Sequence, residues 1–194
     1  MTPAAKPAGA RYDRVTRATH WLLAALAVNV VSFGWASEAA ARGTSARGGL
    51  LLLHRSLGLV ILAVVLFRIL WRVRHAPPPL PPTVGRAQAA LARLTQLGLD
   101  AVFIAMPLAG YANAAAAGHA VSLLGLVSIP PLLPLDERLS QLAIAVHLVG
   151  QYLVYLLVAL HVAGALHHAI IRRDEVLDRM LPRRPRPATK TPPA

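Results

Sequence analysis

Residues 139–171 run for 33 consecutive positions without an Asp, Glu, Lys or Arg. As a helix rising ~1.5 Å per residue, the run measures ~50 Å, against a bilayer hydrocarbon core of ~30 Å. Inside hydrocarbon every backbone N–H and C=O must be satisfied within the segment, so the run is expected to be a transmembrane helix with one end projecting. Two histidines, His147 and His161, lie within it. Fourteen helical positions turn ~1400°, only ~40° short of four full turns, which puts both rings on one stripe ~21 Å apart. Polar rings on a membrane helix need partners elsewhere in the chain.

Three other segments are apolar enough to supply them. Residues 18–37 carry no formal charge and have Trp21 and Trp35 near their ends, where interfacial aromatics belong. The preceding basic RYDRVTR and the following SEAAA also fit a secretory signal, but the run exceeds a signal's roughly 7–15 apolar residues, which favours a retained span. Residues 49–72 are interrupted only by Arg55 and Arg68. The stretch HAPPPLPP (75–82) cannot continue a helix, because proline lacks the amide donor and restricts the residue before it. A third span starts near 87, is membrane-like over 94–116 and is expected to kink at Pro107. Residues 117–138 read as a Gly- and Pro-punctuated surface loop.

The expected fold is therefore an all-α membrane protein, a four-transmembrane-helix bundle over residues 11–182. Residues 1–10 and the basic, Pro-rich 183–194 are expected to be disordered. With the N-terminus cytoplasmic, 16 of the 20 Lys and Arg fall on the cytoplasmic side and only Arg42, Arg47, Arg55 and Arg138 outside. The positive-inside rule then places both termini in the cytoplasm. The net charge of +12 reflects this clustering at segment ends and in tails, and argues against nucleic-acid binding. The absence of cysteine excludes disulfides, thiolate metal sites and thioether-linked cofactors.

Depth pairs the histidines. His20 opens the first helix on the cytoplasmic side, level with His161. His54 opens the second from the outside, level with His147. Four imidazoles in two cross-helix pairs suit two non-covalent, bis-histidine haems, with the metal carried by His20, His54, His147 and His161. The fourteen-residue offset recurs: His20 plus 14 is Gly34, leaving room at the outer level for a flat macrocycle, and His54 plus 14 is Arg68, a cation suited to a propionate. Arg55 is a second propionate candidate, and snorkelling is the plain alternative for both arginines. Gly58, Gly150 and Gly164 follow three of the histidines by about one turn, which suits either close macrocycle approach or helix packing. His168 lies at the cytoplasmic interface as a candidate proton-accepting or quinone-contacting group. Asp100 is an intramembrane acid, expected at the interface or paired with a basic residue. His75 and His119 fall in loops and are expected to be solvated.

The stretches YDRVTRATHWL (12–22), LLHRSLGLVILAVVLFRILWR (52–72), FIAMPLAGY (103–111), GHAVSLLGLVSIP (118–130) and HHAIIRRD (167–174) resemble the prokaryotic cytochrome b561 family, related to the cytochrome b subunits of nickel–iron hydrogenases. The resemblance implies a four-helix cytochrome with two b haems ligated by His20, His54, His147 and His161. Similarity to the family's superoxide-oxidising branch implies electron transfer across the bacterial inner membrane, from a periplasmic donor such as superoxide to ubiquinone, with His168 at the quinone site. The alternative is a cytochrome b subunit linking quinone to a larger respiratory enzyme such as a hydrogenase. A non-redox membrane scaffold with incidental histidines is a third class. Helix 3 departs from the family: where relatives often carry histidine and tyrosine, this chain has Gln96 and Asp100.

Overall fold

A computed structural model of the chain describes residues 11–81 and 83–181. The disorder expected for 1–10 and 183–194 lies outside the described residues. Four helices, α1 (Arg14–Ala39), α2 (Ser45–Arg74), α3 (Arg86–Ala116) and α4 (Glu137–Leu166), form the bundle. Each is long and apolar enough to cross a membrane. Each runs a few residues beyond its apolar core because capping groups lie outside hydrocarbon. Asp13, Thr44 and Asp136 accept N–H bonds at the starts of α1, α2 and α4. α3 continues through Pro107 as one helix, as a span that was expected to bend there and not to end. Its surroundings supply packing, with Pro107 facing Gly58 of α2.

Two elements were not expected from the sequence. The 117–138 loop contains an antiparallel hairpin, β1 (Val121–Leu123) paired with β2 (Val127–Ile129). Three residues connect the strands; Leu126 N–H donates to Leu123 O at 2.9 Å, and the two residues inside that turn, Leu124 at φ 52° and Gly125 at φ 75°, both take the positive φ that a type I′ turn demands. The buried Ser56 of α2 stitches this turn down: its hydroxyl accepts from Leu124 N–H at 2.8 Å and reaches Ser122 O at 3.2 Å. Tyr111 of α3 holds the outgoing strand, donating to Pro130 O at 2.8 Å and accepting from Leu132 N–H at 3.1 Å. The second element is a π-helical turn, η1 (His167–Arg172), that extends α4 and ends with Arg173 at φ 53°.

Beyond η1 the chain folds back under the bundle. Trp21 donates to Met180 O at 3.0 Å, Arg17 to Leu181 O at 2.9 Å, and Arg11 to Leu181 O at 2.7 Å and to Asp178 O. Arg179, itself buried, donates to Pro79 O at 2.6 Å, and Arg172 to Thr83 O. Much of the basic character read from the sequence thus forms a clasp that joins the start of α1, the α2–α3 connection and the end of the described chain. This is the termini end of the bundle; the hairpin caps the other.

The apolar core lies between α1 and α2 around Leu23, Ile61 and Val65, with Phe103 and Ile104 of α3 packed against it. α4 packs on α3, tied by Asn113 donating to Ser140 O at 3.1 Å. Among the described residues no Cα of α4 comes within 8 Å of α1 or α2. A gap too wide for direct helix packing therefore separates α4 from the first two helices along the bundle.

The Asp13 cap orders the termini end. Burial pushes its carboxyl up, but bonds from the Thr16 hydroxyl and amide and from the Trp71 indole outweigh this and hold it below the ordinary value. A depressed carboxyl contributes stability above its unfolded value of ~3.9 and loses it as pH falls through the lower folded value. Asp13→Ala should cost about 1 kcal/mol near neutral pH. Melting midpoints in detergent should show that deficit shrinking below about pH 4.

Candidate functional site

Aromatic side chains cross the gap beside α4. At the termini end the rings of His20 (α1) and His161 (α4) stand 5.8 Å apart between centroids, inclined at 60°. At the hairpin end the rings of His54 (α2) and His147 (α4) stand 5.9 Å apart at 74°. Between these helices Trp35 donates its indole N–H to the Tyr155 hydroxyl at 2.9 Å. The depth pairing read from the sequence is thus the pairing of rings in space.

The hairpin-end rings are seated by one local device used twice. His54 Nδ1 lies 2.8 Å from Val30 O, and His147 Nδ1 lies 2.9 Å from Met106 O. A helical carbonyl already faces the N–H four residues on, and in both cases that residue is a glycine, Gly34 or Gly110. A Cβ on Gly34 would meet the His54 ring at 3.1 Å, and one on Gly110 would meet the His147 ring at 3.4 Å. At Gly34 the missing side chain clears the carbonyl for a second donor, whereas at Gly110 an added Cβ would only reach ordinary contact with the ring. With Nδ1–H donating there, Nε2 is left with its lone pair available for a metal. His20 and His161 make no such bond among the described residues.

These contacts refine the sequence reading of the glycines. The space at Gly34 holds the His54 imidazole. Gly150 takes up Met106, whose Sδ would lie 2.5 Å from an added Cβ, and Gly58 faces Pro107, so both serve helix packing. Gly164 faces open space. Gly110 was missed; its signal was a glycine inside an apolar helix, one residue before Tyr111.

The charged candidates separate by level. Arg68 is 9% exposed and its Nε is buried with no hydrogen-bond partner. It is close enough to act electrostatically on both His20 and His161. Simple snorkelling does not describe a side chain so enclosed. Asp100 pairs with Arg72 at 2.7 Å, with only 10% of its side chain exposed, meeting the expectation of a basic partner. Arg55 is exposed and bonds to nothing among the described residues. Arg47 is engaged by Glu38 at 3.0 Å and by Ser37 O at 2.5 Å. His168 Nδ1 lies 2.7 Å from Asp174 Oδ2. The π-turn and the left-handed Arg173 bend the backbone so that Asp174 N–H also reaches His168 O at 3.2 Å. Burial raises the Asp174 carboxyl, but the His168 bond and the Val176 amide outweigh it and hold the group below its ordinary value. An apolar groove lined by Ala163, Leu166, His167, Ile170 and Ile171 runs beside this turn. His75 stacks on Trp71 with ring centroids 3.8 Å apart, while His119 is exposed.

The donor set fits a haem iron better than a bare ion. An imidazole nitrogen binds a first-row metal at ~2.0 Å, so two rings flanking one metal stand ~6 Å apart between centres. Each pair meets that spacing and offers two ligands. Among the described residues no three His, Asp or Glu side chains gather to complete a metal site; a porphyrin supplies the other four positions. The unpartnered Arg68 Nε is a ready donor for a carboxylate.

Residues 11–183 match the family described as prokaryotic cytochrome b561, and the chain belongs to that family. Its members typically bind haem b and transfer electrons in membranes. The chain is 28% identical over 182 residues to "Cytochrome b561 homolog 2" of Escherichia coli (strain K12), covering 88% of this chain and 91% of that protein. It is 30% identical over 131 residues to "Cytochrome b561 homolog 1" of the same strain, covering 68% and 74%. It is also 28% identical over 177 residues to "Probable superoxide oxidase CybB" of Yersinia pestis, covering 90% and 97%. The chain is thus a multi-pass membrane protein of an electron-transferring family.

The glycine seats make a prediction of opposite signs. Gly164→Ala, with nothing to meet, should stabilise by roughly 0.5–1 kcal/mol, the usual helical gain. Gly34→Ala should lower the melting midpoint in detergent, because its Cβ displaces a ring already held by Val30 O. Equal effects of the two would contradict the seat.

Proposed function

We propose that the chain is a di-haem b-type cytochrome of the bacterial inner membrane, carrying electrons from a periplasmic donor such as superoxide to ubiquinone. The observation that carries the reading is the pair of imidazole pairs, 5.8 and 5.9 Å apart, at opposite ends of one gap. In this reading His54 and His147 hold the outer haem and His20 and His161 the inner one. Bound haem supplies one-electron redox chemistry. The basic termini end faces the cytoplasm, in keeping with the positive-inside rule, and residues 11–182 form the haem-carrying domain.

The chain's own residues do the rest. Val30 O and Met106 O fix the orientation of the outer imidazoles. Arg68 pairs with a propionate at the inner level. Arg55 and Arg42, both exposed at the hairpin end, attract an anionic donor; Arg47 contributes less, because Glu38 neutralises it. Arg55 also lies next to His54, within reach of an outer propionate. At the cytoplasmic face the apolar groove beside His167 accepts the quinone, and His168, oriented through Nδ1 by Asp174, passes on one of the two protons that the quinone takes up with its two electrons, the other coming from the cytoplasmic water.

Rapid mixing of the purified holoprotein with superoxide tests this reading. Haem reduction should be fast, followed by reduction of added ubiquinone. Slow reduction, together with a stable co-purifying catalytic partner, would favour a cytochrome subunit of a larger respiratory enzyme. His54→Ala and His161→Ala should each abolish a different haem; loss of the same haem in both variants would contradict the pairing.

A further inference from the structure

The two histidine pairs sit in unlike surroundings, and the differences act in one direction. At the hairpin end both rings share Nδ1–H with backbone carbonyls, at 2.8 and 2.9 Å. Such a bond makes the imidazole a more basic ligand, which favours ferric iron. At the termini end neither ring has a hydrogen bond among the described residues, so that push is missing.

Fixed charge adds to the difference. Arg68 stands on the helical stripe of His54, fourteen residues on, at the level of His20 and His161. It is 9% exposed, with an unpartnered Nε. Arg72 and Asp100 form a 2.7 Å ion pair beside it, and Arg68 is within electrostatic range of both. Two cations and one anion leave a net positive charge next to the inner rings, in a region where water screens it little. At the other end Arg55 adjoins His54, but it is exposed and water and salt screen its charge; among the described residues His54 is the only electrostatic neighbour that acts on His147. A cation favours the reduced, less positive iron, and an anion favours the oxidised one.

We propose that this asymmetry holds the inner haem, at His20 and His161, at a higher reduction potential than the outer haem, with Arg68 and the Arg72–Asp100 pair as the tuning group. The inference rests on the two-haem reading. It gives electron flow a built-in direction, from the hairpin end towards the termini end. It also gives a role to Asp100: its carboxylate offsets part of the arginine charge and limits how high the inner potential rises. Asp100 is a positioning and tuning residue and touches neither iron nor substrate.

Spectropotentiometric titration of the detergent-purified holoprotein tests this. Two one-electron components are expected, separated by at least a tenfold bias in equilibrium, about 59 mV. Asp100→Asn should raise the higher component and leave the lower one in place. Arg68→Gln should move the same component down, and Asp100→Glu, which keeps the charge, should restore the parent value. A His54→Ala chain, keeping only the inner haem, should retain the higher component and its response to Asp100→Asn. Movement of the lower component, or no movement of either, would overturn the proposal while leaving the two-haem reading intact. A parent chain that carries fewer than two haems, evident before any titration, would remove that reading and the inference with it.

Discussion

The distance between α4 and the first two helices governs the rest of the structure. Helices in a membrane gain nothing from burying apolar surface against one another, since lipid is equally apolar; they associate through close packing and polar bonds. α4 has both with α3, but its backbone stays more than 8 Å from α1 and α2. Imidazole pairs cross that gap near each end, and the Trp35–Tyr155 bond crosses it between them. A spacing set by side chains of this size suits a flat group between the helices. It also explains why hydroxyl and guanidinium anchors gather at the two ends: Ser56 and Tyr111 hold the hairpin at one, and Arg11, Arg17, Trp21 and Arg179 hold the clasp at the other.

Within that frame the two levels are built differently. At the hairpin end the carbonyls of Val30 and Met106 take up incoming rings, the first cleared by the missing side chain of Gly34, so helix backbone serves as the second support of the site. At the termini end the support is charge: Arg68, Arg72 and Asp100, enclosed where an unpaired ion is expensive. Partial satisfaction of this cluster is informative. Asp100 has its arginine, while the Nε of Arg68 has no partner among the described residues. A buried donor in that state costs roughly 1–3 kcal/mol, a cost that a bound carboxylate relieves.

Much of this was legible in the sequence because the bilayer imposes strong rules. Runs without charge had to be helices, and depth along them was enough to pair His20 with His161 and His54 with His147. Helix ends were less accurately placed, since caps such as Asp13 and Asp136 lie outside the apolar runs. The hairpin was hidden because its turn puts a leucine, Leu124, in a left-handed conformation that turn statistics do not favour; a hydrogen bond that its N–H donates to a distant serine, Ser56, holds it there. The π-turn and the Asp174 contact with His168 were equally invisible, as they depend on how the chain folds back under α1. Gly34 was noticed for its spacing, as room for a macrocycle; the ring packed against it was not foreseen. Its neighbour is an imidazole from α2, a distinction that only the packing of two helices makes.

The central claim is the proposal that one chain carries two bis-histidine ligand sets, each holding one b haem. Pyridine haemochrome quantitation against protein mass, with the absorption spectrum of the oxidised holoprotein, measures it directly. The account predicts two acid-acetone-extractable b haems per chain, both six-coordinate and low-spin. A single haem, or a high-spin component that reveals an iron lacking its second imidazole, would contradict it.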